Sequence, residues 1–254
     1  MNAKGQRLVI YAGLAGIILL AWGYLVYLAG SLQKTSMGMD ISMPSMQAWG
    51  LTDTSLIFIM WVVMMVAMMT PSALPVILMY RTISRTQHKD NDQLSYTWLF
   101  LLGYLVTWTV FSAAATLGQW GLHSAALLTH MMSSTSPLLG GALLVAAGVY
   151  QFTPLKDACL SHCRTPMGFL MAEWREGKRG ALVMGMRHGL YCVGCCWLLM
   201  TLLFVGGVMN LVWVALIAVY ILVEKVVPAR LWLSRIAGIA AIGWGLWLVA
   251  GLVV

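Results

Sequence analysis

Charge is what this 254-residue sequence has least of: Asp, Glu, Lys and Arg make up 9% of it, against about 25% in an average soluble domain. Hydrophobic residues make up 61%, the mean hydropathy is +0.84, and no stretch of domain length is polar enough to fold in water. A soluble globular fold is excluded. Strict apolar/polar alternation is missing too, which argues against a water-filled β-barrel, because apolar residues here run unbroken for helix-spanning lengths. Equally absent are G-x-x-x-x-G-K-[ST], H-E-x-x-H and G-x-S-x-G, so nucleotide-driven pumping, zincin proteolysis and hydrolase chemistry have no support. No catalytic residue is named, and the reading leans against an enzyme. Internal repeats of the transporter type are not visible.

What remains is an all-α, polytopic transmembrane bundle forming one integral membrane domain over residues 1–254. A span needs about 20 apolar residues. On that measure seven helices are expected, near Leu8–Ala29, Leu56–Tyr80, Thr97–Gly118, Pro137–Phe152, Ala181–Val208, Leu211–Val227 and Ile236–Val254. The first is too long for a cleaved signal and has no small-residue cleavage site after it, so it is expected to stay. With the N-terminus inside and the C-terminus outside, every one of the 15 Lys and Arg residues except Lys34 falls on the inner side. The net charge of +7 is therefore read as topology and contact with anionic head groups, with no nucleic-acid partner.

Among the polar residues, sulfur and imidazole are concentrated. The outer loop at 30–55 contains MGMDISMPSM, with thioethers at Met37, Met39, Met43 and Met46. Thioethers are soft ligands that suit Cu(I), although Met also serves as flexible packing. The second helix carries Met60, Met64, Met65, Met68 and Met69. Met60, Met64 and Met68 recur every four residues, with Met65 and Met69 on the adjoining row, a stripe that fits core packing or passage of a soft ion. Met64 and Met68 are thus candidates for capture. Pro71 and Pro75 follow, freeing carbonyls where a helix bends beside a cavity or a neighbour.

All five Cys lie between residues 159 and 196, in segments 154–180 and 185–200. On helices, Cys159, His162 and Cys163 share one face, and His188, Cys192, Cys195 and Cys196 share another. These seven S and N donors are the candidate metal ligands, in one site or two, and Glu224 joins them as an intramembrane carboxylate near the depth of His188. One joint site would require the segment after Pro154 to fold back on the fifth helix. Glu224 could instead pair with Arg187, while Lys225 is expected to snorkel to the head groups. His88, His123 and His130 stand apart, with His123 and His130 weak candidates for capture.

Four stretches carry a resemblance: MWVVMMVAMMTPSALP at 60–75, GVYQFTPLKDACLSHCRTP at 148–166, GMRHGLYCVGCCWLLM at 185–200 and VGGVMNLVWVALIAVYILVEK at 205–225. Through them the chain resembles a bacterial family of predicted metal-binding integral membrane proteins whose function is unassigned. The resemblance implies a multi-pass protein of the bacterial inner membrane holding a metal on the matched Cys and His residues.

The expected function is copper handling, by binding, transport or delivery, with copper favoured over zinc or nickel because of the Met-rich loop. The partners are then the lipid bilayer, the metal ion and a metallochaperone or membrane metalloenzyme. The alternative is a transmembrane dithiol–disulfide carrier using Cys192-Val-Gly-Cys195. Against it, a relay has no use for His162, His188 or the Met-rich loop, and the chain offers no outer Cys.

Overall fold

In the computed structural model, residues 3–36, 50–87, 93–125, 136–227 and 230–251 are described. Met37, Met39, Met43 and Met46 lie outside these, as do His88 and His130. Every regular element among the described residues is helical: α1 (Ala3–Ser36), α2 (Leu51–Gln87), α3 (Gln93–Ser124), α4 (Pro137–Tyr150), α5 (Pro154–Arg164), α6 (Pro166–Ala172), α7 (Gly177–Thr201), α8 (Leu203–Gly206), α9 (Leu211–Val226) and α10 (Arg230–Ala250).

Among the described residues, five segments are long and apolar enough to cross a membrane, in α1, α2, α3, α7 with α8, and α10; α4 and α5 make a sixth if counted as one bent span. The expected sixth helix, α9, has 16 residues. That is about 24 Å, short of a hydrocarbon core of about 30 Å. The outer faces are apolar, with Leu20 and Trp232 each 76% exposed. Such faces are compatible with a multi-pass membrane protein and would be aggregation surfaces in water.

Sequence explains where the helices stop. Pro154 disfavours helical geometry at Thr153, which is extended at φ −79°, ψ 141° and caps α5 by accepting from the Lys156 amide. The chain bends by 67° between α4 and α5. That bend lays α5 against α7, the fold-back that a joint site requires. Gly207, at φ 90°, ends the α7–α8 segment before Asn210 caps α9.

The core is built on α2, of whose apolar window 61% is buried, against 17% for α10. It packs on α1, α3 and α9, while α3 pairs closely with α7. Close approach at that pair depends on missing side chains: a Cβ at Gly103 would strike the Leu182 carbonyl oxygen, and one at Gly185 the Phe100 carbonyl oxygen. The second close pair is α4 with α10, where a Cβ at Gly141 would lie 2.8 Å from the Gly245 carbonyl oxygen and one at Gly148 2.7 Å from that of Gly238. Gly141 and Gly148 on α4, and Gly238 and Gly245 on α10, are each about two helical turns apart, so one stripe on each of these two helices lets the backbones touch.

The α2 prolines act as expected of a helix beside a neighbour. Pro71 has no N–H to give the Ala67 carbonyl, and the α1 indole of Trp22 donates to that carbonyl at 3.2 Å. Met60, Met64, Met65, Met68 and Met69 are all buried.

Candidate functional site

Helices α3, α5 and α9 meet α7 at Cys192. It lies on α7, against which α5 packs with the buried Cys163, so the fold joins the two cysteine segments. Cys195 and Cys196 complete a group of four buried thiols. All are free. Cys195 and Cys196 each donate back to the Cys192 carbonyl, at 3.1 and 2.9 Å, which turns their sulfurs toward their own helix backbone. Cys163 of α5 faces Cys192 and Cys195 across the helix contact. Among the described residues no three His, Cys, Asp or Glu side chains are arranged to hold a metal ion.

The remaining expected ligands are placed differently. Cys159 is half-buried at the same helix contact, its Sγ 2.6 Å from where a Cβ on Gly194 would be, so a larger residue at 194 would have to displace that sulfur. His162 turns aside: its Nδ1 lies 2.9 Å from the Ala158 carbonyl oxygen and its ring stacks on Tyr191 at 4.1 Å. His188 is buried among Tyr104, Phe100 and Phe169. Its Nδ1 has no hydrogen-bond partner, an uncommon state for a buried nitrogen. Glu224 has its Oε1 engaged by Lys156 Nζ at 2.7 Å, Ser234 Oγ at 2.7 Å and Tyr220 OH at 3.1 Å. Lys156 also donates to Gln151 Oε1, and Arg164 caps the Glu224 carbonyl through Nε at 2.7 Å.

Two expectations about charge are corrected. Arg187 pairs with Glu173, not Glu224, because Glu173 lies on the turn between α6 and α7 and reaches it locally. Lys225 does not snorkel. It is buried, and its Nζ donates to Cys192 Sγ at 2.9 Å and to Ser72 Oγ of α2 at 3.0 Å. Tyr104 of α3 adds a further contact to Cys192 Sγ at 3.2 Å and donates to the Met69 carbonyl at 3.1 Å. Ser72, Tyr104 and Lys156 were missed by sequence reasoning. Ser72 had a usable signal, since it continues the four-residue row of Met60, Met64 and Met68; Tyr104 had none.

This arrangement can do soft-ligand chemistry. Sulfur donors are buried together, a cation touches one of them, and a row of thioethers ends at the serine that holds that cation. A family model described as PpoB2, copper chaperone, matches residues 58–248, which contain α2's methionines and every thiol. No curated protein and no solved structure matches the chain.

Proposed function

This chain belongs to the PpoB2 copper chaperone family, and on that premise we propose that it is a multi-pass membrane protein that carries Cu(I) on the buried thiols of α5 and α7. A copper-related function follows from the family. The observation that carries the finer reading is the packing of α5 on α7 after the bend at Thr153, which sets the buried Cys163 beside Cys192 and Cys195. Cys163 and Cys192 are the first ligands. Cys159, Cys195, Cys196 and His188, on the same two helices, are the further ligands in this reading and would need side-chain rotation to take the ion. Thiols beside thioethers favour Cu(I) over zinc or nickel, which are served equally well by imidazole.

In this reading the outer methionines Met37, Met39, Met43 and Met46 capture the ion. Met64 and Met68 pass it along a row of about 18 Å from residue 60 to Ser72. The thiols receive it, and a metallochaperone or membrane metalloenzyme takes it on. A multi-pass arrangement with the N-terminus inside, in a bacterial inner membrane, is supported by the basic residues that flank the apolar helices.

The test is anaerobic Cu(I) loading of the purified protein against a competing chelator, with copper per chain counted. Cys163→Ser and Cys192→Ser are expected to lose copper that the unaltered protein binds stoichiometrically; unchanged copper in both overturns the reading. The second reading, a dithiol–disulfide carrier, is favoured by the neighbouring sulfurs of Cys192 and Cys195. It takes over if Cys196→Ser and His188→Ala leave copper unchanged while Cys192→Ser abolishes a reversible oxidation.

A further inference from the structure

Lys225 is a buried cation whose obvious counter-ion is already taken. Glu224, its neighbour in sequence, gives Oε1 to Lys156, Tyr220 and Ser234. The Lys225 ammonium instead reaches across to α2 and α7, bonding Ser72 Oγ and Cys192 Sγ. Through Cys192 it stands beside the thiols of Cys195 and Cys196, which are held on the Cys192 carbonyl. An ammonium removed from water needs an anion close by. The anion this one is placed to meet is built on the Cys192 sulfur.

We propose that Lys225 determines which metal the thiol site accepts, its fixed positive charge favouring a monovalent ion on two thiolates over a divalent one. The proposal rests on the copper reading above. Its charge balance is simple. Cu(I) forms two S–Cu bonds, to Cys163 and Cys192, and the two thiol protons leave to the buffer; the product is a bis-thiolate with a charge of −1. Lys225 beside it makes the buried unit neutral. A divalent ion on the same two thiolates gives a neutral centre, and Lys225 then leaves a net buried positive charge. Copper stays Cu(I) throughout, so no electron is exchanged.

Lys225 is therefore a positioning and selecting residue, holding the sulfur by its hydrogen bond and the balance by its charge. Ser72 fixes where the ammonium sits, at the end of the methionine row on α2.

The experiment measures Cu(I) and Zn(II) affinities of the full-length protein in detergent by chelator competition, for the unaltered chain, Lys225→Met and Lys225→Arg. The ratio of Cu(I) to Zn(II) affinity is expected to fall by roughly tenfold or more in Lys225→Met, about 1.4 kcal/mol, and to be kept within a few-fold in Lys225→Arg. A structural role alone would weaken both metals together and leave the ratio unmoved. An unchanged ratio in Lys225→Met overturns the proposal, as does an equal fall in Lys225→Arg, which keeps the charge. If Lys225→Met is not recovered folded, Lys225→Gln takes its place, with the same outcomes. Absence of Cu(I) binding by the unaltered chain defeats the copper reading itself, whereas Cu(I) binding with an insensitive ratio defeats only the role of Lys225.

Discussion

Lys156→Met strands the Glu224 carboxylate in the interior, and the size of the loss can be worked from the contacts. Both side chains are 1% exposed, and their charged atoms are 2.7 Å apart. Removing one partner of a buried pair costs about 3–5 kcal/mol because the other charge stays buried. Tyr220 and Ser234 still donate to Glu224 Oε1, so the lower end, about 3 kcal/mol, is expected for Lys156→Met. Glu224→Gln strands Lys156 instead, which keeps Gln151 as an acceptor, and the loss should be of similar size. The double variant buries no charge and should lie within about 2 kcal/mol of the unaltered protein. Unfolding in mixed micelles titrated with SDS, followed through the 12 tryptophans, measures all four forms. Singles that add in the double to within about 0.5 kcal/mol would refute the coupling. The same variants carry a second readout: with its Oε1 committed to Lys156, Glu224 should be dispensable for copper, and loss of copper from folded Glu224→Gln would make it a direct ligand.

Gly185→Ala drives a methyl group into the Phe100 carbonyl oxygen, and neither backbone can rotate away; α3 and α7 must separate at a cost of about 1–3 kcal/mol or more, read by the same micelle titration. Gly16→Ala meets nothing within 4 Å and sits mid-helix, so it should stabilise by about 0.5–1 kcal/mol; equal responses at the two sites would show that close approach is not what Gly185 provides. Trp22→Phe removes the donor to the Ala67 carbonyl and should cost about 0.5–1.5 kcal/mol. That cost should shrink in a Pro71→Ala background, where residue 71 regains an N–H for the same carbonyl, and an unchanged cost would separate the indole from the proline.

Helix existence was legible because apolar runs in a lipid-compatible chain leave the backbone few alternatives to internal hydrogen bonds. The α4 start at Pro137 and the stop before Pro154 follow from local chemistry: a proline at each N-terminus and an extended residue before it. The bounds of α9 were legible to within one residue, Leu211–Val226 against an expected Leu211–Val227. The thiols drew attention by clustering alone, and the fold-back that joins them needed only the bend that Pro154 announces.

Side-chain direction within each cluster did not follow from spacing, for a geometric reason. Successive residues turn by about 100°, so His162 and Cys163 sit about 100° apart on α5, on either side of Cys159. One face by the i, i+3, i+4 rule is wide enough to set Cys163 beside Cys192 and Cys195 and His162 on the ring of Tyr191, all on α7. On α7 the same spread separates His188, among aromatic rings, from the sulfurs one and two turns on. Lys225 shows the stronger lesson. Depth along the membrane normal argues for snorkelling, but the choice between head groups and the interior depends on which way the helix face turns, and that is set by packing between α9 and α2. Ser72 gives the ammonium an oxygen on that inner side, and Cys192 gives it a sulfur. A lysine that reads from sequence as an anchor thus stands at the meeting point of the methionine row and the thiols, where its charge bears on whatever ion arrives.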